Sequence, residues 1–207
     1  MNLDKLKQAE AQFLQLYPQG FADPGLLAIG KKHRMPQMIE QCQALFDKQA
    51  FNKPHSIVEE MIRMVSRSSM VSMFEKPKFK DFVKSLPGTD VDRLSEAFYE
   101  QLYGDQHRGF EDLLNLLMTQ KLAKWSLMTI LPNYVWPHRE VFVKPTTAKG
   151  VIHWFELQDL VYKPRPSWDF YQRYRANIMD MKQQVVPSLA GSNAAFSGFL
   201  MMSLPAN

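Results

Sequence analysis

Cysteine is almost absent: the 207 residues hold one, Cys42. A single thiol excludes an internal disulfide framework and any zinc site built from several cysteines, and it suits a reducing compartment. Long apolar runs are missing too. The most apolar stretch, AAFSGFLMMSL at 194–204, is about half of what a bilayer span needs. The opening residues, MNLDKLKQAEAQFLQLY, mix charged with apolar positions and lack the apolar core of a secretory signal, so a cytoplasmic chain is expected. No low-complexity segment, internal repeat or long linker divides the sequence, and the expectation is a single helical domain over 1–207.

Catalytic and cofactor signatures are equally scarce. There is no G-x-S-x-G, G-x-G-x-x-G or G-x-x-x-x-G-K-[ST]. His33, His55, His107, His138 and His153 are scattered, with no H-x-x-x-H or H-E-x-x-H pair, so no metal and no cofactor is expected. Glu59-Glu60 and Glu111-Asp112 are adjacent pairs, which point in different directions on a helix. Asp90 and Asp92 suit the first turn of a helix, where negative charge is stabilising. No catalytic residue is assigned. Cys42 lies in an amphipathic pattern and reads as a small buried hydrophobe.

What is present is helical periodicity. Hydrophobic residues are 45% and charged residues 22%, enough apolar material for a substantial core. The spacing predicts an all-α, irregular single-domain bundle of eight to ten short helices. The first covers 3–17, and Asp23-Pro24 then caps one running to about His33. Others open at Pro36, Ser56 and Pro77. Pro87-Gly88 ends the last of these, and Thr89 or Asp90 caps a helix that stops at Gly104. Residues 106–131 are apolar on most sides and should be the most buried region; they can break near Lys121, and Pro132 and Pro137 close them. An extended segment is expected near 138–146, without a partner strand. Thr146 or Thr147 should cap a helix over about 147–157, Ser167 one over 168–186, and a last apolar helix covers 193–203.

Charge gathers in the C-terminal half. Within residues 120–175 nine Lys/Arg face four acids, an excess of +5 against +4 for the whole chain. All four tryptophans, Trp125, Trp136, Trp154 and Trp168, fall there as well. Cations interleaved with aromatic rings could track phosphates and stack unpaired bases, although large aromatics also serve as core. A helix starting at Thr146 or Thr147 would offer free N–H groups to an anion, with Lys144 and Lys149 adding charge. The candidate binding residues are therefore His138, Arg139, Lys144, Thr146, Thr147, Lys149, Arg165 and Arg173. Two further basic runs, Lys31–Arg34 and Lys76–Lys84, suit either phosphate contact or plain solvation.

Three stretches carry a resemblance: FLQLYPQGFADP at 13–24, TILP at 129–132 with PHREVFVKPTTAK at 137–149, and WDFYQRY at 168–174. In order and spacing they resemble a family of uncharacterised proteobacterial proteins of about 200 residues. In that family F-P-x-G-F-x-D-P is followed by T-x-x-P, P-x-x-H-x-F-x-K-P and a late aromatic helix. The family's end reads as an acidic-Gln-Ser-Phe-aromatic phrase, where this chain has SNAAFSGFLMM. The resemblance implies a bacterial protein and brings no activity, cofactor or functional residue.

The expected function is a non-enzymatic module that binds a protein partner or self-associates through its apolar last helix and methionine-rich surface. The alternatives are nucleic-acid binding through the basic aromatic region 139–175, and an enzyme with a pocket near His138–Lys149.

Overall fold

The computed structural model describes residues 1–205, the side chain of Lys32 apart, and these form no strand. They form eleven α-helices: α1 Leu3–Leu16, α2 Pro24–His33, α3 Met35–Leu45, α4 Pro54–Arg67, α5 Glu75–Ser85, α6 Gly88–Tyr103, α7 Gln106–Met118, α8 Trp125–Val135, α9 Pro145–Trp154, α10 Trp168–Gln183 and α11 Asn193–Met202. The count exceeds the expected eight to ten because residues 106–131 are two helices. The break is a Schellman closure. Lys121 takes the left-handed conformation (φ 57°), its N–H donates to the Met118 carbonyl, and the Leu122 N–H reaches back to Leu117 O at 2.9 Å.

Local signals account for most boundaries. The side chains of Asp23, Ser167 and Ser192 accept from the second or third amide of the helices they precede. The expected caps at Thr89 or Asp90 and at Thr146 or Thr147 are not caps. Helix α6 already starts at Gly88 after Pro87, and α9 starts at Pro145 with Lys144 in the capping position. Proline's fixed φ makes it a natural first helical residue, so α9 begins two or three residues earlier than the threonines suggest. Pro132 does not close its helix either; α8 runs on to Val135. The carbonyl that proline leaves without an intrahelical donor, Met128 O, instead receives Gln101 Nε2 from α6 at 3.4 Å.

Every residue of α8 is buried, as befits a helix apolar on all sides. Around it α6 and α7 pack as a tight hairpin. Gly109 makes that approach possible: a Cβ there would lie 2.4 Å from the Gln101 backbone nitrogen. One contiguous core reaches from Leu6 in α1 to Leu200 in α11. Helix α1 is tied to the late helices by Phe13 on Phe199 (5.2 Å, edge-on), by Asn2 N–H on Phe155 O (2.7 Å) and by Val186 N–H on Glu10 Oε1 (2.6 Å). The turn after α1 needs Gly20, which has φ +57° and sits where a Cβ would strike the Ser188 carbonyl at 2.7 Å.

The expected extended segment is residues 140–144, between a turn at 137–139 and α9. With no partner strand, the Glu140 amide turns back to Trp136 O at 2.8 Å and two of the amides that follow are satisfied by side chains. Val141 N–H donates to Tyr171 OH at 3.3 Å and Val143 N–H to Thr129 Oγ1 at 3.0 Å. Thr129 in turn donates to Trp125 O.

Candidate functional site

The segment's first residue, Glu140, is wholly buried. Removing a carboxylate from water is costly unless donors surround it. Here Tyr171 OH donates at 2.6 Å, Gln106 Nε2 at 2.9 Å, Arg139 Nε at 2.8 Å, and Arg175 Nη1 at 2.9 and 3.0 Å to the two oxygens. Burial and the adjacent carboxylate hold the Tyr171 phenol well above its usual range, so it stays a proton donor to Glu140. The backbone of Glu140 is pinned as well: its carbonyl accepts from Asn193 Nδ2 at 3.0 Å, and the Asn193 N–H caps Pro137 O at 2.8 Å. One residue thus joins α7, α10 and α11.

Above this carboxylate lies an open cleft of about 650 Å³ lined by His138, Arg139, Gln172, Arg173, Arg175 and Met179, among others. Three of the candidate residues, His138, Arg139 and Arg173, meet here. Yet each arginine of the cleft is already engaged. Arg139 and Arg175 pair with Glu140, and Arg173 pairs with Asp169 at 3.0 Å. The guanidinium of Arg139 also covers the Trp136 ring, and that of Arg175 the Tyr171 ring. The cleft is therefore largely self-neutralised.

The other candidates lie elsewhere. Lys144 lines a second pocket of about 440 Å³ with Ser72, Glu75, Lys124, Tyr162 and Pro164, so a pocket combining His138, Arg139 and Lys144 does not form. Thr146 and Thr147 occupy the first turn of α9, with Thr147 buried and Thr146 exposed. Lys149 lies a turn further on, its ammonium 5.1 Å from the centre of the Tyr162 ring. Arg165 is exposed beside Pro164. The four segments around this pocket, 69–76, 124–126, 142–149 and 161–165, carry Lys76, Lys124, Lys144, Lys149, Lys163 and Arg165 against one acid, Glu75. Among the described residues none of these six cations forms an ion pair. Glu75 is turned to Ser126 Oγ, which donates to it at 2.6 Å. Helices α8 and α9 both start here, each with lysine in the capping position and no side-chain cap, so their dipoles add positive potential.

The tryptophans do not serve as open stacking platforms. Trp125 is 1% exposed and donates its indole N–H to Lys163 O at 2.8 Å. Trp168 stacks on His107, Trp136 lies between Tyr103 and Arg139, and Trp154 lies under the Lys5 ammonium. Cys42 is fully buried, and desolvation pushes its thiol far up, out of the range of a nucleophile. The last helix is packed on the body: Phe196, Phe199 and Leu200 are fully buried and only its end exposes Met201 and Met202.

Sequence reasoning missed Glu140, Gln106, Tyr171 and Arg175, and on the lysine face Lys124 and Lys163. A glutamate set directly before the apolar Val141-Phe142-Val143 is the one local hint of the first group. Comparison with family models, with curated proteins and with solved structures gives no match, so the resemblance noted above rests on its motifs alone.

Proposed function

We propose that the protein is a non-enzymatic docking module that holds a polyanionic partner against the lysine face around the Lys124–Lys144 pocket. The observation that carries this reading is the state of the charges. Six cations on four segments around the pocket form no ion pair among the described residues, while the one acid among them, Glu75, lines the pocket and accepts from Ser126 Oγ. Unpaired lysines retain their full attraction for phosphate or carboxylate, whereas Arg139 and Arg175 of the cleft are paired with the buried Glu140 and Arg173 with Asp169 on the surface. The test is anisotropy of a labelled heparin fragment and of a labelled single-stranded oligonucleotide, at low and at physiological salt. Binding should weaken by orders of magnitude across that range, as counterion release requires. Lys124→Glu with Lys144→Glu should abolish it and leave the far-UV spectrum intact. Absence of binding at low salt, or indifference to the charge reversal, removes the reading.

A second reading, self-association, has its own observation. Beside α1 runs a groove of about 450 Å³ lined by Phe13, Leu16, Trp154, Met202 and Leu204. Leu16 is 74% exposed at its edge, and Met201 and Met202 are open. A knob beside a groove on one surface is what a two-fold contact uses. Sedimentation velocity over a wide concentration range should show a dimer that Leu16→Asp disperses; a strict monomer at every concentration ends this reading.

A further inference from the structure

Four large apolar side chains stand out furthest from the molecule: Met73 at 75%, Leu16 and Val161 at 74% and Phe74 at 73% exposed. Three of them are immediate chain neighbours of residues that line the lysine pocket. Met73 and Phe74 fall between its lining residues Ser72 and Glu75, and Val161 precedes its lining residue Tyr162. Met73-Phe74 forms the end of the loop joining α4 to α5, where the Phe74 N–H is held by Ser72 Oγ at 3.2 Å. Neither side chain supports the core, and both are costly to leave in water.

We propose that this face docks on an anionic membrane surface, with Met73 and Phe74 entering the headgroup–acyl boundary and Lys76, Lys124, Lys144 and Lys163 binding the lipid phosphates. The inference rests on the polyanion reading of the same face and names its partner. Apolar side chains ringed by lysines are the elements of interfacial attachment: the apolar groups partition, and each lysine near the surface adds attraction. Lysine suits the role because its long stem lies along apolar surface while the ammonium stays among the headgroups. A nucleic acid uses the lysines but gives Met73 and Val161 no task. Apart from Phe74 it finds few open rings: Trp125 and Phe142 are buried, and Lys149 stands over Tyr162. A peptide seated in the pocket, whose lining includes Met70, Phe142 and Tyr162, leaves the exposed Met73, Phe74 and Val161 outside it. No helix of the described residues is long and apolar enough to cross a membrane, so the contact is peripheral.

The experiment is co-sedimentation of the full chain with vesicles of phosphatidylcholine alone and of phosphatidylcholine mixed with phosphatidylglycerol, beside the heparin and oligonucleotide titrations. The expected result is binding to the mixed vesicles only. Lys124→Glu with Lys144→Glu should abolish it. Met73→Ser with Phe74→Ser should weaken it roughly tenfold or more, because the apolar partition term is lost, while leaving heparin binding unchanged. Vesicle binding that ignores the Met73/Phe74 change overturns the insertion. Binding of heparin or oligonucleotide without binding of anionic vesicles overturns the membrane partner and keeps the polyanion face. Binding of none of the three overturns both. The substituted side chains are exposed, so far-UV circular dichroism should show both double variants folded.

Discussion

The carboxylate oxygens of Glu140 are satisfied entirely by its neighbours, since the residue is wholly buried. Two guanidiniums, a phenol and an amide occupy its oxygens. Such a pair contributes little net stability against an apolar substitute, but breaking it by removing one partner is expensive. Glu140→Ala leaves Arg175, only 20% exposed, without its counter-charge and withdraws the acceptor from Tyr171. The expected loss is about 3–5 kcal/mol. It should read as a lower urea midpoint with an unchanged slope, since the folded surface is hardly altered. Glu140→Gln keeps the shape and two hydrogen bonds and should lose less. A midpoint unmoved by Glu140→Ala would mean that the carboxylate is incidental to the fold. At this scale the sequence showed cations well and their partners badly. Lys144, Lys149 and Arg165 were legible from local charge, and they do lie on or beside one face. Nothing local showed that Arg139 and Arg173 were already paired, because pairing depends on which acid the fold brings near.

Elements were legible where their signals are local. Asp23 with Pro24 and Ser167 mark helix starts by chemistry contained within three residues, and each caps its helix. The errors share a cause. Pro132 reads as a stop because it removes a donor, but the orphaned Met128 carbonyl is served by Gln101, 27 residues earlier. The lone extended segment at 140–144 is legible from its alternation, whereas the side chains that make it tolerable, Thr129 and Tyr171, come from separate helices. The two uncapped helices show the same dependence in reverse. Lys124 and Lys144 occupy capping positions they are unsuited to fill, and that is where positive potential accumulates. A loop some fifty residues before Lys124 supplies Ser72 and Glu75 to the same pocket, with the exposed Met73 and Phe74 between them. Lys144, Lys149 and Arg165 of the candidate face could be read from the sequence, whereas Lys124, Lys163 and its apolar part could not.

The molecule as a whole is closed by its first helix. Helix α1 reaches the far end of the chain through Phe13 on Phe199 and through Glu10 on the Val186 amide, and the core it covers is continuous. Chains well above 150 residues often lose all-or-none unfolding. Here the joined ends argue that no part can leave without exposing core. The tryptophans offer a direct test, because all four lie between residues 125 and 168. Their fluorescence reports the second half of the molecule, while far-UV circular dichroism reports every helix. The two urea transitions should coincide. Phe13→Ala, a truncation in α1 far in sequence from any tryptophan, should move both together by an amount equivalent to about 3–5 kcal/mol. A first circular-dichroism phase accompanied by only a partial fluorescence change, that of Trp154 beside α1, would show α1 detaching as a separate unit. The continuous core would then be an assembly of two cooperative parts, with the groove beside α1 opening between them.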